Sequence, residues 1–308
     1  MPKALVKKST GNLYTLIDEN KKLLQANIRG KFRMKGIRST NPVAVGDQVI
    51  FEQENPDYPA VITDILPRKN YIIRKSSNLS KESHILAANI DQAILMITIA
   101  YPVTHSLFID RFLVSAEAYR IPVKIIINKT DLYDDAQQEK AADFTDAYEK
   151  AGYECIACSV ETGENIDRIN ALMQNQISVI AGNSGVGKSS LIKTIQPGLD
   201  LQIKALSESH QSGKHTTTFA EMHALNQGGY IIDTPGIKGF GLVDIEKNEL
   251  FHFFPEIFTY SGNCKYYNCT HVHEPGCTVK KAVEEGKIHP MRYQNYLYIL
   301  DDKESKHR

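Results

Sequence analysis

Residues 182–189 read Gly182-Asn183-Ser184-Gly185-Val186-Gly187-Lys188-Ser189 and fit G-x-x-x-x-G-K-[ST]. The octet follows an apolar stretch at 177–181 and opens a segment of helical spacing at 189–195. Strand, glycine-rich turn and helix in that order are the context the motif requires. The glycines let successive backbone N–H groups converge on a phosphate at a helix N-terminus. Lys188 is then placed to neutralise the β- and γ-phosphates, and Ser189, with Ser190 beside it, opens the helix, the Ser189 hydroxyl meeting Mg2+. With Gly near 7% of residues, the pattern arises by chance in roughly one 300-residue chain per hundred. A nucleoside triphosphate site is the expectation.

Upstream and downstream of the octet, strand-like and helix-like segments alternate. Apolar strands are expected at 93–100, 123–127, 153–157, 177–181, 219–225 and 229–232, with helices at 106–119, 136–151 and 165–174. That alternation predicts a mostly parallel sheet covered by helices. Asn128-Lys129-Thr130-Asp131 directly follows the strand at 123–127. A carboxylate at Asp131 can accept from guanine N1–H and the 2-amino group, whereas adenine would leave it unpaired. Asn128 braces the purine and the neighbouring loop, and the stem of Lys129 covers its face. Cys158-Ser159-Val160 ends the next strand, where a backbone N–H could meet guanine O6.

Two further segments suit the γ-phosphate end. Asp233-Thr234-Pro235-Gly236 follows the strand at 229–232, so Asp233 can hold Mg2+ through water and the Gly236 N–H can sense the phosphate. Gly213-Lys214-His215-Thr216-Thr217-Thr218 precedes a strand, and Thr217, or else Thr216, can complete the Mg2+ shell. Many hydrolases of this kind place a water with a glutamine just after D-x-x-G, but Ile237 stands there. Intrinsic turnover is therefore expected to be slow, with His215 the nearest group able to orient a water or act as base. The succession is base motif, serine loop, phosphate loop, first switch, second switch. In small GTPases the phosphate loop comes first, so this order is a circular permutation.

Cys264-x4-Cys269-x-His271-x5-Cys277 puts three thiols and an imidazole within fourteen residues. Three Cys and one His make a closed tetrahedral set for one structural Zn2+, with no open position for catalysis. His273 competes with His271, and His271 is the choice. Cys155 and Cys158 lie i, i+3 along a strand, point to opposite faces and read as core. Lys280, Lys281, Lys287 and Arg292, with Tyr293, Tyr296 and Tyr298, suit RNA or protein contact and helix packing on the metal loop equally.

The chain has 308 residues, 36 Lys+Arg and 36 Asp+Glu, 42% hydrophobic residues and five Cys. That length exceeds what one core usually fills. The longest apolar run, 93–101, is too short to span a bilayer, and residues 1–8 carry no secretion signal, so a cytoplasmic protein is expected. Zero net charge hides a basic N-terminus. Residues 1–45 hold ten Lys/Arg (3, 7, 8, 21, 22, 29, 31, 33, 35, 38) against Asp18 and Glu19, a net of +8. Short strands at 11–17, 23–29, 48–51 and 60–66, part of about five within the first 66 residues, suggest a small β-barrel of OB type. The alternating run 29–36 would set its cations along one face, towards a phosphate backbone. The expected division is a barrel at 1–67, an α/β P-loop domain at 68–242 and a mostly helical zinc-binding domain at 243–308.

Taken together, the basic barrel, the permuted motif order with Gly-Lys-His-Thr-Thr-Thr, and the Cys-x4-Cys-x-His-x5-Cys loop resemble the bacterial RsgA (YjeQ) family across nearly the whole chain. The resemblance implies a GTPase that binds the small (30S) ribosomal subunit and its rRNA, acts in late subunit maturation, and hydrolyses GTP to GDP when the subunit stimulates it. It also implies His215 as the catalytic group and His271 as the zinc ligand. A monomer without membrane contact is expected. The competing reading, from the missing glutamine, is an RNA-binding protein that uses GTP and GDP only as a ligand switch.

Overall fold

The computed structural model describes residues 1–11, 13–28, 42–75, 83–199, 220–233 and 245–305, with backbone alone at 74–75, 83–84, 233 and 302–305. The basic run at 29–36 and the loop carrying His215 and Thr217 lie outside the described residues, as do Thr234, Pro235 and Gly236. The chain clusters into two compact units, Met1–Ala93 with Asn170–Ile180 and Ile195–Gly241, and Ile94–Ile169 with Ala181–Thr194 and Leu242–Arg308.

In the first unit, β1 (Lys3–Ser9), β2 (Tyr14–Asp18), β3 (Leu23–Ile28), β4 (Gln48–Glu52) and β5 (Ala60–Ile65) make the barrel. The antiparallel pairs β1–β2, β2–β3, β4–β5 and β1–β4 and the parallel pair β3–β5 close the ring. Alternation drives it: Val6, Tyr14, Leu16, Ala26, Val49 and Ile62 point inward and are fully buried, while polar neighbours face outward. β1 carries no clear strand signal in the sequence, because its stretch of Leu5 to Lys8 is half cationic. Its Ala4 and Val6 nevertheless fill the core. Gly46 needs its bare Cα, because at φ +89° a Cβ would lie 2.0 Å from the Ala88 carbonyl oxygen. Beside it the buried Asp47 carboxylate takes both Nε and an Nη of Arg68 at 2.6 Å, and the Ala44 N–H at 2.8 Å. A bidentate pair with an extra donor is the arrangement that makes a buried charge tolerable.

The same unit holds a hairpin outside the strands expected from the sequence, β6 (Tyr71–Lys75) antiparallel to β7 (Ser83–Ala88). It also holds β11 (Ile177–Ala181), parallel to β13 (Tyr230–Asp233), with β12 (Glu221–Ala224) antiparallel to β13. β12 pairs in turn with β1, Lys8 opposite Glu221, and Lys8 Nζ reaches that carboxylate at 2.6 Å. The barrel's first strand thus extends the sheet.

In the second unit, β8 (Gln92–Ile97) is buried on both faces, as a central strand should be. α1 (Ser106–Ala118), β9 (Val123–Ile127), α2 (Asp135–Lys150), β10 (Glu154–Ala157) and α4 (Lys188–Ile195) follow in chain order, with β9 and β10 parallel. α3 (Ile166–Met173) precedes β11. A capping box fixes the start of α2: Asp134 accepts from the Gln137 N–H, and Gln137 Oε1 accepts from the Asp134 N–H. The C-terminal part is helical, with α5 (Pro255–Ser261), α6 (Thr278–Glu284) and α7 (Pro290–Ser305) around Leu250, Phe254, Ile257, Val279, Ile288 and Tyr296. Among the described residues no helix is long and apolar enough to cross a membrane.

Arg292 is 1% exposed and lies among carboxylates and rings rather than on the surface. Its guanidinium donates to both Glu256 oxygens (2.8 and 3.1 Å) and to Asp110 Oδ1 (2.5 Å), and Asn295 donates to Asp110 Oδ2. It stands 4.7 Å from the Phe254 ring centroid. Of the two roles open for Arg292 and Tyr296, packing is the one they have. Tyr298 is exposed.

Candidate nucleotide site and metal centre

The phosphate loop leaves β11 with Gly182, Gly185 and Gly187 at φ +138°, +82° and +104°. A Cβ at Gly182 would sit 2.1 Å from the Met96 carbonyl oxygen and one at Gly187 would sit 2.4 Å from Asn128 Nδ2, so the loop lies against β8 and the base motif. Lys188, in the first turn of α4, donates to the carbonyl oxygens of Gly182 (2.7 Å) and Asn183 (2.6 Å). Burial lowers its ammonium from the ordinary lysine value to about 8. Ser184, Ser189 and Ser190 are exposed, and Val186 is buried.

At the base motif, Asn128 Nδ2 donates to the Val186 carbonyl at 2.8 Å. Its Oδ1 accepts from the Val160 N–H at 3.2 Å and the Cys158 thiol at 3.4 Å. One buried amide therefore joins the three segments that the sequence reading assigned to base and phosphate. Lys129 adopts φ +68° and its Nζ donates to the Tyr101 carbonyl at 2.5 Å. No sequence signal marked this anchor, because a backbone oxygen has no residue-type signature. Asp131 is exposed in the 3-10 turn Thr130–Leu132, held by Thr130 Oγ1 donating to Glu164 at 2.9 Å. Ser159 is buried: its hydroxyl accepts from the Thr162 N–H, and its own N–H donates to the Glu164 carbonyl at 3.3 Å. Asp233 ends β13, opposite Glu221. Cys155 and Cys158 are buried, and burial pushes both thiols up to about 12, as core cysteines require.

The metal loop brings Cys264, Cys269, His271 and Cys277 together with their ligand atoms all within 4.8 Å of one another. Cys264 Sγ lies 3.5 Å from His271 Nδ1 and 3.9 Å from Cys277 Sγ, and Cys277 Sγ lies 3.5 Å from His271 Nδ1. A tetrahedral ion with bonds of about 2.3 Å to sulfur and about 2.0 Å to nitrogen needs S–S edges of about 3.8 Å and S–N edges of about 3.5 Å. The donor set fits. His273 is exposed and stands outside it. Tyr293 and Tyr296 of α7 donate their hydroxyls to the carbonyls of His271 (2.6 Å) and Thr270 (2.8 Å).

Glu274, absent from the sequence-based candidates, accepts from the Thr270 N–H and hydroxyl (both 2.7 Å) and the N–H groups of Val272 and His273. Burial would raise its carboxyl, but the Thr270 and Val272 donors outweigh that and hold it at about 2. A carboxylate three residues beyond a ligand histidine inside a tight loop was the available signal.

The chain matches the RsgA GTPase family over residues 65–243 and the RsgA N-terminal domain over residues 3–61. It is 54% identical over 304 residues, 98% of its length and 97% of the relative's, to the small ribosomal subunit biogenesis GTPase RsgA of Bacteroides fragilis strain YCH46. A Bacteroides thetaiotaomicron relative, small ribosomal subunit biogenesis GTPase RsgA 2, is 51% identical over 98% of this chain and 97% of its own. The crystal structure of YjeQ from Thermotoga maritima superposes with a TM-score of 0.81 at 35% identity, covering 98% of both chains. YloQ, described as a circularly permuted GTPase, gives 0.80 at 32% identity over 99% of this chain and 96% of its own. The chain belongs to the RsgA GTPase family.

Proposed function

We propose that this chain hydrolyses GTP on the small ribosomal subunit, acts in the late maturation of that subunit, and is stimulated by it. The observation that carries the reading is the Asn128–Val186 bond at 2.8 Å, which makes base motif and phosphate loop one site. The relatives' names, at 54% and 51% identity over 98% of the chain, supply the ribosomal partner. In this reading Asn128, Lys129, Asp131 and Ser159 hold guanine, and residues 182–190 hold the phosphates. Asp233 and Gly236 attend the γ-phosphate. Mg2+, carried by Ser189 and Thr217, would neutralise charge developing on the phosphates.

His215 orients or deprotonates the attacking water, since Ile237 stands where a glutamine would serve. The Cys3His set holds Zn2+ as a structural ion, because a thiolate-rich tetrahedral site without an open position suits that ion. The barrel (1–67) contacts rRNA through its +8 segment, the permuted GTPase domain spans 68–242, and the zinc-binding domain spans 243–308. The protein works in the cytoplasm as a monomer.

The test is phosphate release measured for the chain alone and with 30S, 50S and 70S particles. Stimulation by 30S particles is expected, and His215→Ala should lower single-turnover hydrolysis far more than GTP affinity. Turnover that stays negligible with every particle would leave only the ligand-switch reading.

A further inference from the structure

We infer that Tyr133 is a positioning residue for guanine recognition, its one phenolic oxygen pinning the base motif to the loop that leaves β8. The inference rests on the guanine reading above and adds a residue to it. Tyr133 lies two positions after Asp131 and caps the 3-10 turn Thr130–Leu132, its N–H donating to the Thr130 carbonyl. Its side chain turns inward and is 6% exposed. The hydroxyl donates to the Asn128 carbonyl at 2.6 Å and accepts from the Ile99 N–H at 2.8 Å.

Both partners bear on the site. Asn128 is the residue whose amide ties the base motif to the phosphate loop. Ile99 lies in the loop from Thr98 to Thr104, which is closed on itself. Thr98 Oγ1 donates to the Pro102 carbonyl (2.5 Å), the Thr104 N–H donates to the Thr98 carbonyl (2.9 Å), and Thr104 Oγ1 accepts from the Thr98 N–H (3.2 Å). This loop offers the Tyr101 carbonyl to Lys129, and its Pro102 stands 3.4 Å from where a Cβ of Gly185 would be. Removing the phenolic oxygen leaves the Ile99 N–H and the Asn128 carbonyl buried with one partner fewer and frees both supports at once: the strand end carrying Asn128 and the anchor of Lys129. A buried polar group that loses its partner costs far more than an exposed one. The loss falls on the geometry of Asp131, two residues away, which makes two hydrogen bonds to guanine. Inosine triphosphate lacks the 2-amino group and can make only one.

The experiment compares GTP, inosine triphosphate and ATP binding to the full chain and to Tyr133→Phe, with thermal unfolding in the absence of nucleotide as a control. The wild-type preference for GTP over ATP tests the guanine reading on its own, and equal binding of the two would remove that reading and this inference with it. Given that preference, Tyr133→Phe should weaken GTP binding about tenfold and inosine triphosphate binding less, shrinking the ratio between them about threefold or more. Unchanged affinities, or GTP and inosine triphosphate weakened by the same factor, would overturn the positioning role, since general loosening acts on both ligands alike. Should Tyr133→Phe fail to fold, meta-fluorotyrosine placed at position 133 and read by fluorine NMR carries the test. Its resonance should then move more on adding GTP than inosine triphosphate, and equal shifts would overturn the inference.

Discussion

The side-chain amide of Asn128 donates to the backbone carbonyl of Val186 at 2.8 Å, across 58 positions of sequence. Through this bond the end of β9 and the phosphate loop hold each other in place. The same amide's oxygen takes the Val160 N–H, so a third segment is fixed by the same residue. A site built this way is preorganised, and ligand binding need not supply the ordering free energy.

Because Asn128 joins these segments, Asn128→Ala should weaken GTP and GDP binding together by about a hundredfold, as two buried groups and the half-buried Val160 N–H lose a partner. Gly187→Ala approaches the same bond from the other side. Its new Cβ would lie 2.4 Å from Asn128 Nδ2 at φ +104°, whereas a Cβ at Gly185 would meet nothing nearer than 3.4 Å. Titration with a fluorescent guanine nucleotide should show binding lost in Gly187→Ala and only reduced in Gly185→Ala. Equal effects would show that the clash is relieved at no cost.

Lys188 gives the phosphate end a pH dependence. Burial holds its ammonium at about 8, below the ordinary lysine value, and the charged form is the one that meets phosphate. Bound phosphate keeps the proton on, so above pH 8 binding must take a proton up. Affinity should therefore be flat below neutrality and fall as pH rises through 8, by at most about tenfold per pH unit. Calorimetry at about pH 8.5 in buffers of different ionisation heat should read about three-quarters of a proton taken up per nucleotide. Zero uptake would mean that the free lysine is already charged.

Metal content separates the two histidines of the C-terminal loop. Elemental analysis should find about one ion per chain in the wild type and in His273→Ala, and much less in His271→Ala or Cys277→Ser. Chelation should lower thermal stability, because the loop also anchors the hydroxyls of Tyr293 and Tyr296. An ion retained by His271→Ala would reverse the choice of ligand.

Arg292 is fixed by Asp110 and Glu256 deep in the second unit. Arg292→Ala should cost about 3–5 kcal/mol in chemical denaturation, since it strands two buried carboxylates. Arg292→Lys should recover little, because an ammonium cannot present a planar fork to both acids. A loss below about 1 kcal/mol would mean that water reaches the carboxylates once the guanidinium is gone.

Much of the chemistry could be read from short-range pattern. Strands 177–181 and 123–127 were legible as apolar runs followed by motif residues, and the structure has Ile177–Ala181 and Val123–Ile127. The Cys3His set was legible because four ligand types lie within fourteen residues. The hairpin of β6 and β7 was not, because Tyr71–Lys75 and Ser83–Ala88 carry mixed polar patterns that only their mutual pairing makes into strands. For Arg292 the sequence left surface contact and packing equally open, because the two acids that bury it are 36 and 182 positions away.

The sequence by itself determined the motifs and their permuted succession, since each needs only a few neighbouring residues of the right type at the right spacing. It also determined the alternation that makes a barrel and an α/β sheet. Tertiary structure alone decided that β1 both closes the barrel and extends the sheet through Lys8 and Glu221, and that Lys129 anchors on the Tyr101 carbonyl. Those outcomes depend on backbone groups, which every residue carries alike. Residue type therefore cannot announce them, and only the folded chain brings donor to acceptor.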